Sequence, residues 1–168
     1  MNVLLVKPGI DTKGADQVVS RIGTSRTVDI LAPAELDIAK SIRQWNKDVE
    51  KISCVLVDES QFLALEQIDQ LLELTVKDNI PVMAYGLRSD FQTKAFPGSL
   101  RLFELAHTIE ELKTICRCGK KALFNGRKIN DMFVFEGAQV AIDGENFGNM
   151  TIEYESLCAN CYFKFKNA

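Results

Sequence analysis

The sequence predicts an α/β protein with a parallel sheet, followed by a small metal-binding β module. Short β-branched runs alternate with segments of helical periodicity up to about residue 113, as in proteins built from strand–helix–strand units. Beyond that point the segments shorten and glycines recur between them. Two close pairs of cysteines stand in this later part, at Cys116, Cys118, Cys158 and Cys161.

This change of texture predicts two domains. The α/β core is expected over residues 1–113, and the metal-binding module over residues 114–168. Within the module, residues 133–135 and 139–142 have the apolar, β-branched and aromatic composition of short strands.

The composition is ordinary for a globular protein of 168 residues, with 46% hydrophobic and 26% charged residues. A net charge of −3 gives no general affinity for nucleic acid or for anionic membranes. No apolar run approaches the roughly 20 residues of a membrane span, and the N-terminus has no basic, cleavable signal. We therefore expect a cytoplasmic protein with no nucleic-acid or membrane partner.

The first half of the core alternates strand and helix. Residues 2–6 and 28–31 are predicted as short strands. A helix is expected from Pro33 through Lys47, because proline is favoured in the first turn. Residues 52–57 are aliphatic and β-branched, which is typical of a strand buried on both faces.

The second half of the core continues this alternation. Apolar residues recur about once per turn over residues 65–76, which predicts an amphipathic helix. A strand over residues 80–85, a helix over 100–105 and a final strand over 112–115 follow. Strands separated by helices form parallel sheets with right-handed crossovers.

Two acids, Asp58 and Glu59, directly follow the predicted strand over residues 52–57. In an open α/β sheet the chemistry sits beyond the carboxyl ends of the strands. Carboxylates there can hold a hydrated Mg²⁺ and accept a proton. Acids are also favoured in the first turn of a helix, so a capping role is the alternative.

The paired cysteines favour a structural metal site. Cys116 and Cys118 are separated by one residue, and Cys158 and Cys161 by two. Four thiolates suit a closed tetrahedral Zn²⁺ site that staples a module too small for a core of its own. Four free thiols, or redox cysteines, are the alternative.

Four pieces of the sequence together strongly resemble the cellular-type (type II) thymidine kinases. They are Lys7-Pro8 with Asp11, Val57-Asp58-Glu59-Ser60-Gln61-Phe62, Tyr85-Gly86-Leu87-Arg88-Ser89-Asp90-Phe91, and the paired cysteines. The segments Ser20-Arg21-Ile22-Gly23 and Leu112-Lys113-Thr114-Ile115-Cys116 resemble the bacterial branch of that family. The resemblance covers nearly the whole chain.

The resemblance implies a P-loop-type parallel sheet that is incomplete in this sequence, and a lasso loop running roughly from Asn125 to Tyr154. The family's phosphate loop, Gly-x-x-x-x-Gly-Lys-Ser/Thr, precedes the Lys-Pro segment, and this sequence does not contain it. An N-terminally truncated enzyme and a decayed paralogue are the two explanations. The presence of Asp58, Glu59, Phe91 and all four paired cysteines favours truncation.

The resemblance also implies a role for individual residues in the ATP-dependent phosphorylation of thymidine to dTMP. Glu59 is implied as the catalytic base. Binding of the nucleotide and Mg²⁺ is implied for Asp58, Glu59, Ser60, Gln61, Asp11 and Lys13. Thymidine binding is implied for Phe62, Leu87, Phe91, Val140, Ile142 and Tyr154. The zinc ligands are implied to be Cys116, Cys118, Cys158 and Cys161.

The same resemblance implies cofactors and partners. The cofactors are structural Zn²⁺ and Mg²⁺ with ATP. The partners are thymidine, ATP, dTTP as a feedback inhibitor, and further copies of the chain in a dimer or tetramer. Two alternatives stay open, namely a non-catalytic nucleoside- or protein-binding module and a zinc-ribbon-like interaction domain on an α/β scaffold.

Overall fold

Two packing units make up the part of the chain that the computed structural model describes, residues 2–11, 16–20, 22–48, 51–139, 146–147 and 150–167. The first unit takes Met1–Arg88 and Phe96–His107, and the second takes Ser89–Ala95 and Thr108–Ala168. An internal loop of the sequence therefore packs with its C-terminal part. The domain boundary between residues 113 and 114, drawn from the sequence, stays a prediction.

The first unit is built from strands and helices in alternation. In chain order its elements are β1 Val3–Pro8, β2 Gln17–Val19, β3 Ser25–Thr27, β4 Ile30–Ala32, α1 Ile38–Asp48, β5 Cys54–Val57, α2 Leu65–Lys77, β6 Val82–Ala84 and α3 Pro97–Leu105. Among the described residues, four strands form a parallel sheet in the order β4-β1-β5-β6. The predicted α/β class with a parallel sheet is confirmed. Strands β2 and β3 form a separate antiparallel pair.

Strands β1 and β5 lie in the middle of this sheet and supply much of its core. Val6 and Val57 pair in register, and both side chains are fully buried. A strand buried on both faces needs apolar residues throughout, and each buried aliphatic side chain contributes about 1.5–3 kcal/mol. Cys54 begins β5 and is buried, and this burial raises the pKa of its thiol. It serves as a small apolar core residue.

Helices α1 and α2 pack against the core through apolar stripes. Ile38 and Ile42 on α1 are buried, as are Ile68, Leu71 and Leu74 on α2. Spacings of three and four residues place these side chains on one face of each helix. The periodicity of residues 65–76 thus predicted α2 nearly to the residue.

Helix α1 begins five residues later than the predicted start at Pro33. The Asp37 side chain explains this start, because its Oδ1 accepts a hydrogen bond from the Lys40 N–H at 2.8 Å. That bond joins a capping residue to the third residue of the helix. Pro33 instead opens a turn in which the Leu36 N–H donates to its carbonyl at 3.0 Å.

The second unit contains an antiparallel sheet and a short helix. Its elements are β7 Phe124–Ile129, β8 Met132–Val134, β9 Asn146–Phe147, β10 Met150–Leu157 and α4 Ala159–Lys166. The strand order is β8-β7-β10-β9. Strand β8 confirms the strand predicted near residues 133–135, shifted by one position. The strand predicted over 139–142 falls outside the described residues from residue 140 onward.

The strand predicted over residues 112–115 is wrong. These residues are irregular, apart from an isolated bridge between Ile115 and Lys121. Leu112 and Ile115 are 74% and 66% exposed. An apolar β-branched run becomes a strand only when another strand pairs with it, and in the described part of the chain none runs beside this segment.

The helices that the structure describes are too short or too polar to cross a membrane. The longest of them, α2, has 13 residues. At 1.5 Å per residue it measures about 20 Å, whereas the hydrocarbon core of a bilayer is about 30 Å thick.

Candidate active site and metal centre

The candidate active site of the first unit lies at the carboxyl end of β5, where Asp58 and Glu59 follow Val57. The Asp58 N–H donates to the Val6 carbonyl at 3.0 Å, so the parallel ladder reaches the first acid. Lys7 stands one position beyond the Val6–Val57 pair on β1. The structure therefore brings Asp58 and Lys7 to the same edge of the sheet, which is where α/β proteins place ligands.

Glu59 has a left-handed backbone, with φ 48° and ψ 36°. This conformation costs a residue with a side chain about 1–2 kcal/mol, so surrounding contacts must hold it. Glu59 leads into a 3-10 turn, Ser60–Phe62, without a capping hydrogen bond from its side chain. Helix α2 starts only at Leu65, with Ala64 at its N-cap position. The alternative role of the two acids as caps of that helix is thus not what the structure shows.

Gln61 is one of the contacts that hold Glu59. Its side-chain Nε2 donates to Oε2 of Glu59 at 2.5 Å, and its Oε1 accepts the Leu87 N–H at 3.0 Å. Gln61 is only 2% exposed. Because the amide must donate at one end and accept at the other, these two partners fix its orientation. Gln61 thereby joins the acid edge to the segment that follows β6.

Gly86 lies directly against this contact. A Cβ at that position would stand 2.5 Å from Gln61 Oε1 and 2.8 Å from Ser60 Oγ. The Ser60 hydroxyl donates to the Tyr85 carbonyl at 2.8 Å. Gly98, in the first turn of α3, is similarly close to this turn. A Cβ added there would stand 2.7 Å from the carbonyl oxygen of Gln61. The absence of side chains at Gly86 and Gly98 therefore lets these two segments pack closely against the turn after Glu59.

Asp11, a predicted nucleotide-binding residue, lies beside Lys7. The Lys7 side chain is 1% exposed, and its Nζ stands 3.0 Å from Asp11 Oδ2 and donates to the Gln17 carbonyl at 3.2 Å. A buried ammonium requires such partners, so the pair fixes where the chain leaves β1. Lys13 lies outside the described residues.

Two of the predicted thymidine-binding residues belong to the first unit. The ring of Phe62 meets that of Phe96 edge to face, with centroids 5.5 Å apart and an angle of 80°. Leu87 is 44% exposed, and its carbonyl accepts the Ser99 hydroxyl at 2.6 Å. The backbone around Leu87 is therefore held from both sides, by Gln61 and by α3.

Phe91 and Tyr154, the other described members of that set, belong to the second unit. Phe91 sits in a tight hairpin at residues 89–95, where Asp90 Oδ1 accepts the N–H groups of Gln92 and Lys94 at 2.9 and 2.8 Å. Its ring is 1% exposed, and its carbonyl accepts the Tyr162 hydroxyl at 2.6 Å. Val140 and Ile142 lie outside the described residues.

Arg127 is a residue of this region that the sequence interpretation missed. Its guanidinium carbon stands 3.6 Å from the centroid of the Phe91 ring, and its Nε donates to the Tyr154 hydroxyl at 2.9 Å. The available signal was the alternation along β7, which places Asn125 and Arg127 on one face. The local sequence does not indicate which residues that face contacts.

The four paired cysteines converge in the second unit, with their Sγ atoms all within 4.8 Å of one another. Zinc–sulfur bonds of about 2.3 Å in a tetrahedron place the sulfurs about 3.8 Å apart, so the cluster fits such a site. A turn closed by the Gly119 N–H and the Cys116 carbonyl at 2.8 Å holds the first pair. Gly119 has φ 83°, a conformation that glycine adopts without strain.

The thiols of this cluster have divergent pKa values. Backbone N–H groups of Cys118 and Cys158 lower the pKa of Cys116 to about 6. The backbone of Cys161 lowers that of Cys158, which stands just before α4. The hydrogen bond with Cys118 and burial raise the pKa of Cys161 to about 12. Four sulfur donors held this close together form a donor set that a dication can complete.

The chain is thus an α/β protein with an acidic sheet edge and a tetracysteine centre that could hold a metal ion. The sequence model of one family, described as thymidine kinase, matches residues 1–162. The thymidine kinase of Enterobacteria phage T4 is 43% identical over 160 residues, which is 94% of this chain and 78% of the relative.

Two bacterial proteins are similar over comparable lengths. The thymidine kinase of Haemophilus influenzae (strain ATCC 51907 / DSM 11121 / KW20 / Rd) is 44% identical over 161 residues, or 94% of this chain and 79% of the relative. That of Legionella pneumophila (strain Paris) is 41% identical over 168 residues, or 99% and 76%. The chain belongs to the thymidine kinase family. The resemblance drawn from the sequence is confirmed.

Proposed function

We propose that this protein is a thymidine kinase, which transfers the γ-phosphoryl group of ATP to the 5′-hydroxyl of thymidine and gives dTMP for nucleotide salvage. The observation that carries the proposal is the strained, hydrogen-bonded Glu59 at the carboxyl edge of β5, in a chain of this family. Left-handed backbone at a residue with a side chain concentrates at functional sites.

Glu59 is the proposed catalytic base. Phosphoryl transfer depends mainly on positioning and on neutralising charge, and the base only has to accept the hydroxyl proton. Gln61 holds one carboxylate oxygen of Glu59 at 2.5 Å, which fixes the direction of the carboxylate. A fixed carboxylate loses less orientational freedom when the substrate hydroxyl arrives.

Asp58, Ser60, Gln61, Asp11 and Lys13 are proposed, with Glu59, to bind the nucleotide and its Mg²⁺. Mg²⁺ would neutralise charge on the phosphate oxygens and is held in proteins by one or two carboxylates with waters. The position of Asp58 at the sheet edge and of Asp11 beside Lys7 supports this assignment.

Thymidine binding is proposed for Phe62 and Leu87 in the first unit and for Phe91, Val140, Ile142 and Tyr154 in the second. Aromatic rings enclose a flat base through stacking and edge contacts. The fixed backbone of Leu87 and the tethered hairpin around Phe91 support the proposal, because rigid groups bind with a smaller entropy cost.

Zn²⁺ is the proposed metal of the tetracysteine centre, in a structural role. Four sulfur donors leave no open position for a substrate, which is typical of structural rather than catalytic zinc. We further propose dTTP as a feedback inhibitor, a homodimer or homotetramer, and a cytoplasmic location, on the strength of the resemblance to the family.

The experiment that tests the function compares the wild-type protein with its Glu59→Gln variant. The substitution keeps the shape of the side chain and removes the proton acceptor. We expect kcat for thymidine phosphorylation to fall by about 10²–10⁴-fold, while the dissociation constant for thymidine, measured by calorimetry, changes by less than about threefold.

Glu66→Gln is the matched control, because Glu66 is an exposed acid in the first turn of α2. It should leave kcat unchanged. Equal turnover by Glu59→Gln would remove Glu59 from its proposed role. Thymidine binding by the wild-type protein without any phosphoryl transfer would instead support a non-catalytic nucleoside-binding module.

A further inference from the structure

Arg127 is a buried cation to which the proposed function gives no task. It is only 4% exposed. Burying a guanidinium costs free energy, which an ion pair usually offsets in part. Across the described ranges of the chain, Arg127 forms no ion pair with a carboxylate, and its partners are an aromatic ring, a phenol and a carbonyl. An apolar residue would fill this place at lower cost, so stability alone does not account for the arginine.

The register of the sheet sets the first contact. Arg127 on β7 stands directly opposite Tyr154 on β10, and side chains of such a pair lie on the same face, close together. The Nε atom donates to the Tyr154 hydroxyl at 2.9 Å. This hydrogen bond therefore fixes the position of the half-buried Tyr154 hydroxyl and the side from which that hydroxyl accepts.

The second contact holds the Phe91 ring. The guanidinium carbon lies 3.6 Å from the ring centroid, a distance at which the planar cation covers the ring face. Asn125, two positions earlier and on the same face of β7, donates to the Ser89 carbonyl at 3.2 Å. Asn125 and Arg127, on this face of β7, therefore both contact the hairpin at residues 89–95.

The third contact reaches Gln139. Nη2 of Arg127 donates to its carbonyl at 3.0 Å. One planar group therefore uses Nε, Nη2 and its face at once, on three separate segments of the second unit. Lysine carries the same charge but has neither the fork nor the flat face.

We propose that Arg127 is a positioning residue that sets the affinity for thymidine, because it holds the Phe91 ring and the Tyr154 hydroxyl in the orientation that the nucleoside requires. This inference rests on the proposed function, in which both side chains bind thymidine. Arg127 acts through those side chains and takes no part in phosphoryl transfer. Its loss therefore changes nucleoside binding and leaves the chemical step intact.

Steady-state kinetics and calorimetry on the Arg127→Gln and Arg127→Lys variants test the inference. Loss of binding that is equal in the ground state and the transition state raises KM and spares kcat. We expect KM and Kd for thymidine to rise at least about tenfold in both variants, with kcat and the KM for ATP changed by less than about threefold. Arg127→Lys should fail to restore affinity, since charge alone is not what the site uses.

Lys128→Gln is the matched control. Lys128 is the next residue of β7, and its contacts are Glu155 at 3.0 Å and the Phe133 ring at 5.3 Å, away from the face that holds the hairpin. It should leave the thymidine KM within about twofold of wild type. Thermal unfolding of each variant separates an affinity loss from a folding loss.

A double-mutant cycle keeps the inference testable if Arg127→Gln fails to fold. Tyr154→Phe removes only the hydroxyl that Arg127 holds, so the affinity loss of Arg127→Lys with Tyr154→Phe should be smaller than the product of the two single losses. Multiplicative losses, or a fall in kcat at constant KM, would overturn the inference. If the wild-type protein binds thymidine and the Arg127 variants bind it equally well, this inference alone fails. If the wild-type protein neither binds nor phosphorylates thymidine, the proposed function fails with it.

Discussion

Gln61 and Gly86 show how closely single residues control the acid edge. The side chain of Gln61 uses both of its polar atoms, on Glu59 and on the Leu87 backbone. Its position depends on the absence of a side chain at Gly86, where a Cβ would lie 2.5 Å from its Oε1. The direction of the Glu59 carboxylate therefore depends on Gln61 and, through Gln61, on the glycine at position 86.

Gly86→Ala should displace the side-chain amide of Gln61, because the added Cβ would overlap with Oε1 at the flexible end of that side chain. We expect kcat to fall by about tenfold and the free energy of unfolding to fall by about 1–3 kcal/mol, as for other overpacked sites. Kinetics and urea titration measure the two effects.

Gly23→Ala is the control for replacing a glycine in the same unit. Gly23 has φ 88° and no atom within 4 Å of an added Cβ. It should cost about 1–2 kcal/mol from backbone strain alone and leave kcat unchanged. An unchanged kcat in Gly86→Ala would show that the Gln61–Glu59 contact does not matter for turnover.

The sequence located Asp58 and Glu59 because a buried strand followed by acids is a local pattern. It did not reveal the contact between Gln61 and Leu87, which are 26 positions apart, or that between Arg127 and Tyr154, 27 positions apart. Such contacts depend on how strands and turns come together, and no short window of residues encodes them.

At the scale of elements, Arg43 joins the two helices that flank the sequence of β5. From α1 it donates to Glu73 of α2 at 2.8 Å and to Asp78, at the end of that helix, at 2.8 Å. Lys77 forms a further ion pair with Glu73, whose Oε1 lies 3.1 Å from the Lys77 Nζ. These charges lie partly in solvent, so their total contribution to stability is small.

This cluster predicts a pH dependence. The hydrogen bond from Arg43, together with Lys77, lowers the pKa of Glu73 below its usual 4.5. A depressed carboxyl pKa contributes stability above about pH 4.5, and the contribution is lost as the pH falls through the folded-state pKa. The urea midpoint of the wild-type protein should therefore fall more between pH 6 and pH 3 than that of Glu73→Gln.

Glu66→Gln, an exposed acid on the same helix, provides the comparison for this measurement. It should show the same acid-side fall as the wild-type protein. If Glu73→Gln does so too, the ion cluster between α1 and α2 carries no pH-dependent stability.

Periodic elements were the easiest to predict, and pairing the hardest. Helix α2 has an apolar residue at nearly every turn and was found at Leu65–Lys77 against a predicted 65–76. The strand predicted over 80–85 is confined to Val82–Ala84, because a strand ends where its partner's ladder ends. The same dependence on a partner removed the strand expected over 112–115.

At the scale of the whole molecule, the second unit has a small core of its own. Its buried cluster is formed by Cys116, Ala122, Leu157, Cys158 and Tyr162. Two of these five are members of the tetracysteine centre. A unit whose described part has so small a buried cluster benefits from a staple, and the proposed zinc would supply it.

Metal removal should therefore loosen the second unit before the first. We expect about one zinc per chain, and on chelation an increase of at least about tenfold in hydrogen exchange of the β7 and β10 amides. The amides of β1 and β5 should change much less. Acid should act like the chelator, because thiolates must be deprotonated to bind the metal.

Cys158→Ser and Cys54→Ala separate the metal centre from a general effect of losing a cysteine. Cys158→Ser should lower the zinc content and mimic chelation. Cys54→Ala alters the cysteine of β5 and should retain the zinc. Unchanged exchange in a protein shown to be free of metal would remove zinc from its structural role.

The order of the two architectures along the chain was predictable from composition and cysteine spacing. The assignment of Ser89–Ala95 to the second unit was not. Local hydrogen bonds to Asp90 form the hairpin at these residues. The contacts that join it to the second unit come from Asn125, Arg127 and Tyr162, which lie far along the chain.

That hairpin also matters while the protein is being synthesised. The Phe91 carbonyl accepts a hydrogen bond from the hydroxyl of Tyr162, which is 71 positions later in the sequence. At about 5–20 residues per second, translation needs roughly 4–14 s to cover that distance. During this interval a ring that is 1% exposed in the finished fold is accessible on the nascent chain, where it is a natural contact for chaperones.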